Sequence, residues 1–247
     1  FFTKFTRDAG MNKVGEPFGR LVCQGMLNAP APYCSDCNSE YHVDYFESAC
    51  PTCGKELSSR SAKMSKSLGN TVSPEEMISR FGADTVRLFI LFGANPEAGM
   101  DWSDSALEAN HRQINSLFDA IDEAMALSDA PSKIDGWLLS RMRANQNKWI
   151  EVMSDVSLRE GVMISHFEML SDWNWYLRRG GQDRTTAMKF LEGWIPMLAP
   201  ATPHIAEEFW NMFGGKDLLA ALEIPILSIE PDDLHNLAEE EYVKNII

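Results

Sequence analysis

Lys63-Met64-Ser65-Lys66-Ser67-Leu68-Gly69-Asn70 is the stretch from which the rest of the chain can be read. Two lysines three residues apart, set among small hydroxyl residues with a glycine close behind, describe a mobile loop able to fold over an anion. Phosphate is the natural candidate. Phosphoryl chemistry asks for cationic donors where negative charge grows on the leaving oxygens, on a loop that closes once the nucleotide has arrived. Lysine suits this as a compact point charge on a flexible stem. Ser65 and Ser67 add hydroxyl donors, and Gly69 lets the backbone approach closely. A lysine pair alone would read as a basic surface turn, but the whole of Lys63 to Ser67 is far more specific than a pair.

Upstream of the loop, four of the five cysteines stand as Cys34-x2-Cys37 and Cys50-x2-Cys53, twelve residues apart. Each pair can bite one face of a tetrahedral ion, so the spacing predicts a zinc ribbon. Four thiolates fill the coordination of zinc and leave no place for a reactive water, which makes the expected role structural. Two disulfides are the rival reading, disfavoured in a reducing compartment; a redox pair fits less well, since both pairs match. Gly54 favours a tight knuckle turn. Cys23, alone in an apolar run, reads as ordinary core. His42, between the knuckles, could be a further ligand but reads better as a surface histidine.

The rest of the chain is predicted mainly α-helical. Phe1 to Gly10 reads as a short helix, and Arg20 to Met26 as a buried strand. Ser73-Pro74-Glu75-Glu76 is a capped helix start; the helix runs to about Phe81, is closed by Gly82, and is followed by a second over Ala83 to Phe92. Asn95 to Trp102 reads as a turn. Ser105-x-x-Glu108 looks like a capping box opening a helix to Ala126. Further helices are expected over 135–153, from Ser157 to about Arg178, over 183–198, and from Pro203 to a stop at Gly214-Gly215. Their apolar stripes and short loops predict an antiparallel bundle. Trp173, Trp175 and Tyr176 read as core rather than as base-stacking groups. Arg178 and Arg179, at a helix end before Gly180-Gly181, could meet phosphates or the last carbonyls of their own helix.

At 247 residues with 45% hydrophobic content, the chain can bury a sizeable core. No segment has the length of a spanning helix or the look of a signal peptide, so no membrane partner and a cytoplasmic location are expected. The net charge of −14 argues against nucleic acid at first. Its distribution softens this: residues 223–247 alone hold 7 acidic side chains against 1 basic. A locally basic face can still bind RNA on an acidic protein.

Lys63 to Ser67 resembles, letter for letter, the second signature of the class I aminoacyl-tRNA synthetases, and Arg80-Phe81-Gly82-Ala83-Asp84-Thr85-Val86-Arg87-Leu88 continues as those enzymes do. Phe1 to Phe5, Glu16-Pro17-Phe18, Gln24-Gly25-Met26, Leu88 to Phe92 and Asp101 to Ser105 make the chain most similar to the leucyl family within that class. The resemblance implies the end of a Rossmann-type α/β catalytic domain over 1–26, the zinc ribbon over 27–60, and a lysine-loop and connector region over 61–104. A tRNA-binding helical bundle of the anticodon-binding type would follow over 105–222, and the start of a C-terminal extension over 223–247. It implies ATP-dependent activation of leucine and transfer to tRNA(Leu), with Mg2+ accompanying the ATP. Lys63 and Lys66 would be catalytic, Lys63-Met64-Ser65-Lys66-Ser67 would bind ATP, and Cys34, Cys37, Cys50 and Cys53 would hold zinc; Arg178 and Arg179 are candidate tRNA contacts from their position at a helix end, not from the resemblance.

The family's other signature, His-x-Gly-His, does not occur in the 247 residues. The expectation is therefore a piece of a leucine–tRNA ligase that lacks the N-terminal catalytic and editing portions and is inactive by itself. The alternative is a non-catalytic RNA-binding or scaffolding relative.

Overall fold

The computed structural model describes residues 1–245. Helix α1, Phe2–Asp8, opens the chain and buries only Thr6. Residues 9–26 then run without helix or strand. Here the structure corrects two expectations. Arg20 to Met26 is not a buried strand: Leu21, Cys23, Gln24 and Met26 are exposed, so Cys23 is not core. The apolar run suggested burial, but among the described residues the sheet meets it only at its end, where Met26 O accepts from the Met100 N–H at 3.0 Å.

The strand begins one residue later. β1, Leu27–Cys34, pairs antiparallel with β2, Ser39–Glu40, and with β3, Ser58–Lys63. Ala29 sits opposite Ala62 in the β1–β3 register, and both are buried with Ala31. Pro30 and Pro32 argue against a strand on sequence grounds, because neither can donate to a ladder. Their geometry resolves this. The carbonyls of Asn28 and Pro32 point away from β3, accepting from Trp102 and Tyr41. The missing proline N–H groups therefore face an edge that β2 covers only at Tyr33 and Cys34.

Beyond the lysine loop, α2, Pro74–Phe81, is capped by Ser73, whose Oγ accepts from the Glu76 N–H. Gly82, at φ 82°, turns the chain directly into α3, Ala83–Gly93. A short strand β4, Met100–Asp101, returns to pair in parallel with Leu27 and Asn28. The small sheet thus holds both ends of the region that contains the loop.

α4, Asp104–Ala126, is capped by Ser103, which accepts from Ala106, and not by the expected box at Ser105. The cap falls where Asp101 and Trp102 leave the sheet, and the Ser105 hydroxyl pairs with that of Ser103 at 3.0 Å. α5, Asp135–Ser154, follows, then α6, Leu158–Val162, a π-helical turn Met163–Glu168, and α7, Met169–Arg178. The continuous helix expected from Ser157 is thus interrupted, and Ser157 makes no side-chain cap. The π turn frees carbonyls that side chains then occupy: Trp194 Nε1 donates to Ser165 O at 2.7 Å, and Gln113 Nε2 donates to His166 O. α8, Arg184–Leu198, is capped by Asp183, and α9, Pro203–Phe213, ends at left-handed Gly214. The acidic end forms α10, Pro231–Lys244; Ile246 and Ile247 lie outside the described residues.

The bundle core is aromatic. Trp173, Tyr176, Phe190, Trp194 and Phe209 are fully buried, with Trp173 stacked on Phe190 at 6.0 Å between centroids. Burial of Phe190 and of Phe209 contributes roughly 1.5–3 kcal/mol each. Two smaller apolar clusters, Leu88–Ile114–Val162–Ala201 and Met77–Phe89–Leu107, join the connector helices to the bundle.

His166 lies in this core, fully buried, its Nδ1 2.8 Å from Ser165 Oγ and its Nε2 3.0 Å from Thr202 Oγ1. Burial pushes its pKa down to about 3. The unfolded chain, at about 6.5, therefore binds a proton that the folded chain refuses throughout that window. Stability is retained above pH 6.5 and lost as pH falls toward 3. Urea unfolding should show a loss of up to about 2 kcal/mol between pH 6.5 and 5, at about 1.4 kcal/mol per pH unit. Asp172, whose pKa burial raises against the pull of Arg141, works in the opposite sense. The comparison is thus the parent against His166→Gln, whose profile should be flatter; parallel profiles would exclude His166 as the cause.

Candidate functional site: a lysine loop beside a four-cysteine ribbon

β1 delivers Cys34, the turn after it delivers Cys37, and the hairpin before β3 delivers Cys50 and Cys53. All four sulfurs lie within 4.8 Å of one another, with Cys34–Cys53 at 3.5 Å and Cys37–Cys50 at 3.8 Å. Sulfurs at 2.3 Å from a tetrahedral ion stand about 3.8 Å apart, whereas a disulfide would need about 2 Å. The four cysteines are free thiols. Each knuckle places a left-handed residue directly after its second cysteine: Asn38 at φ 49° and Gly54 at φ 74°. Gly54 is legible in the sequence as the knuckle turn; Asn38 tolerates the same conformation and carries a weaker signal for it.

The thiols are unequal. Contact with neighbouring thiols, Cys53 first, together with burial pushes Cys37 up to about 12. Burial would raise Cys50 too, but hydrogen bonds from the Tyr41 hydroxyl and from the Cys53 and Thr52 backbone outweigh it and bring it down to about 6. With Cys50 already largely ionised at neutral pH and Cys37 holding its proton, a divalent cation completes the thiolate set by displacing the protons that remain. The donor set therefore fits a soft-tolerant tetrahedral cation such as zinc. His42 is not among the converging groups. Its Nδ1 accepts from the Asp44 N–H at 3.3 Å, and its other edge faces Gly69.

Lys63 is the last residue of β3, and the chain then turns through Met64 to Gly69. Lys63, Lys66 and Ser67 are exposed. The lysines that form ion pairs among the described residues are Lys4, Lys55, Lys148 and Lys244, so both loop ammonium groups remain available. The loop backbone is nonetheless ordered by its own groups. Ser65 Oγ accepts from the Leu68 N–H at 3.2 Å, and the Gly69 N–H, at φ 70°, reaches Ser65 O at 3.1 Å.

α3 ties this region to the bundle at two points. Buried Asp84 accepts from the Ile205 N–H at 2.8 Å and meets His204 Nδ1 at 2.8 Å, which places a carboxylate at the N-terminus of α9. Arg87 donates to Pro200 O and Ala201 O just after α8 ends. Negative charge at a helix start and positive charge past a helix end are the favourable placements. In the sequence, the signal for both residues is their polarity in an otherwise apolar helix.

Arg178 and Arg179 stand at the end of α7, exposed, and their contacts are to α7 and α10 rather than to the ribbon or the loop. Arg179 Nε donates to Glu240 Oε1 at 2.7 Å, and the Arg178 guanidinium lies 5.6 Å from the Trp175 ring centre. Backbone N–H groups of Arg179, Gly180 and Gly181 take the last carbonyls of α7. The acidic tail thus spends part of its charge inside the fold: Asp233 pairs with Arg143 and Ser140, and Glu240 with Arg179 and Trp175.

A family model described as tRNA synthetases class I (I, L, M and V) matches residues 55–103, and one described as the anticodon-binding domain of tRNA ligase matches residues 135–247. Among solved structures, a ternary LeuRS–tRNA–LeuAMS complex from Agrobacterium radiobacter K84 superposes with a TM-score of 0.66 at 24% identity, covering 93% of this chain and 27% of that one. Mycobacterium tuberculosis methionyl-tRNA synthetase bound by methionyl-adenylate gives 0.55 at 19% identity over 67% of this chain and 41% of that one. These place the architecture in the class I tRNA synthetases. The curated relatives narrow it. The leucine–tRNA ligase of Aeromonas salmonicida (strain A449) is 34% identical over 237 residues, covering 88% of this chain and 28% of its own length. That of Syntrophus aciditrophicus (strain SB) is 32% identical over 240 residues, covering 92% and 28%. The chain belongs to the leucine–tRNA ligase family, and it spans 28% of the length of these two relatives. No helix among the described residues is long and apolar enough to cross a membrane.

Proposed function

We propose that this chain supplies the ATP-side lysine loop and the tRNA-binding bundle of a leucine–tRNA ligase. In the first step the leucine carboxylate attacks the α-phosphorus of ATP and pyrophosphate leaves; in the second the leucyl group passes to the terminal ribose of tRNA(Leu). Lys63 and Lys66, with Met64, Ser65 and Ser67 between and beside them, bind the triphosphate and stabilise the charge that grows on the leaving pyrophosphate, with Mg2+ accompanying the ATP. The observation that carries this reading is the pair of exposed ammonium groups, unpaired among the described residues, on a loop whose backbone is already ordered. Preorganised donors of that kind act where charge develops.

In this reading Cys34, Cys37, Cys50 and Cys53 hold a structural zinc. All four coordination positions are filled by protein, so the ion contributes fold stability and no reaction step. Residues 1–26 belong to the edge of a Rossmann-type catalytic domain, and the reaction takes place in the cytoplasm. Arg178 and Arg179 contribute phosphate contacts from the end of α7.

The bundle is tested by tRNA binding. The chain should retain tRNA(Leu) on a filter at low salt, and the affinity should fall steeply as salt rises, because contacts from scattered cations release counterions. Arg178→Ala with Arg179→Ala should weaken retention several-fold and flatten the salt slope. Absence of any retention at low salt would leave the bundle as a scaffold.

A further inference from the structure

Asn70 closes the lysine loop, and its side chain is buried. Its Oδ1 accepts from the Ser65 N–H at 2.9 Å, which joins the two ends of the loop. Its Nδ2 donates to Ala29 O at 3.2 Å and approaches Ala62 O at 3.4 Å. Ala29 and Ala62 face each other across β1 and β3. One amide thus fastens the loop to both β1 and β3 at a rung whose two residues are buried.

The opposite side of the loop rests on the ribbon. The Val43 N–H donates to Leu68 O at 2.8 Å. The His42 ring lies so close to Gly69 that a Cβ there would collide with Nε2 and Cε1. His42 is itself fixed, its Nδ1 accepting from the Asp44 N–H at 3.3 Å. Gly69 answers two demands together, a left-handed φ of 70° and room for the ring.

We propose that Asn70 and His42 are positioning residues for the lysine loop, and that through them the cysteine ribbon sets where the ammonium groups of Lys63 and Lys66 stand. The inference rests on the proposed role of those lysines. A point charge aimed at a leaving group loses much of its effect when displaced by an ångström, so a loop held at both ends is worth more than a free one. The arrangement leaves Lys66 exposed while fixing Ser65, Leu68 and Gly69 around it, which permits closure over a triphosphate by side-chain movement on a defined base.

The first measurement is amide hydrogen exchange on the 247-residue chain. Asn70→Ala should speed exchange at Ser65, Leu68 and Gly69 by about tenfold or more, and His42→Ala should do so at Leu68 and Gly69, with zinc content and bundle melting unchanged. Asn70→Asp keeps an acceptor for Ser65 and loses both donors, so it should protect Ser65 partly and serves if the alanine variant folds poorly. The second measurement is leucine-dependent ATP–pyrophosphate exchange by the ligase that contains these residues. Asn70→Ala should lower kcat about tenfold or more while leaving KM for leucine within about twofold, a split that general destabilisation would not produce. Parental loop exchange in folded Asn70 and His42 variants overturns the inference. So does faster loop exchange with undiminished kcat while Lys66→Ala is impaired. If Lys66→Ala is itself unimpaired, the proposed function fails, and the amide exchange still decides whether the brace exists.

Discussion

Replacing Lys66 by alanine is expected to slow leucine-dependent ATP–pyrophosphate exchange by about 10²–10³-fold, with nearly all of the loss in kcat. Lys66 stands exposed near the middle of the loop and forms no ion pair among the described residues. It therefore has no structural partner to leave behind, and the variant should fold as the parent does. An ammonium aimed at charge developing on departing pyrophosphate interacts more strongly with the transition state than with bound ATP, which is the condition for an effect on kcat rather than on binding. KM for leucine should hardly move, since leucine does not meet this side of the triphosphate in the proposed reaction. Lys63 is expected to show the smaller effect. Its backbone is held in β3 opposite Asn28, so its side chain starts from the base of the loop. An exchange rate for Lys66→Ala within a few-fold of the parent would remove the residue from the chemistry.

The sequence was most legible where local chemistry and spacing coincide. Cys34, Cys37, Cys50 and Cys53 converge because two matched knuckles leave few other ways to arrange them. Ser73 and Gly82 bound their helix because cap and left-handed turn are strictly local requirements. Trp173 and Tyr176 are core, as their helical setting suggested, whereas Trp175 is only half-buried and lies against Lys244.

What escaped the sequence depends on tertiary partners. Arg20 to Met26 had the composition of a strand, yet the strand formed through Pro30 and Pro32, because an edge left open by β2 cancels the usual objection to proline. The π turn at Met163–Glu168 is stabilised by Trp194 and Gln113, which approach from other helices. The pairing of Arg179 with Glu240 likewise depends on α10, which lies more than sixty positions away in sequence. In the candidate site, the lysines could be read from their own text. The residues that hold them, His42 and Asn70, could not, since one lies in the ribbon and the other bonds a strand more than forty positions away.

Purified chain should contain one zinc ion, and Cys37→Ser should contain almost none, with the ribbon and lysine loop losing their order while the bundle stays folded. The argument is one of scale. Structural zinc bound by peptide-sized domains contributes about 10–16 kcal/mol. The buried apolar residues of the ribbon and its sheet are Ala29, Ala31, Cys34, Cys50 and Ala62, whose small side chains together offer only a few kcal/mol. That is too little to hold residues 27–63 in place once the four thiols lose their common partner. The bundle draws on a separate core, from Leu117 to Leu219, which includes none of those residues. Damage should instead run along the contacts that exist, through Val43 and His42 to Leu68 and Gly69. Metal analysis in reducing buffer without chelator gives the stoichiometry. Limited trypsin digestion should show faster cleavage after Lys55, Arg60, Lys63 and Lys66 in Cys37→Ser, with the helical circular-dichroism signal largely kept. Well under one zinc per parent chain would refute the metal assignment; a metal-free variant with parental cleavage at Lys66 would show that the ribbon does not support the loop.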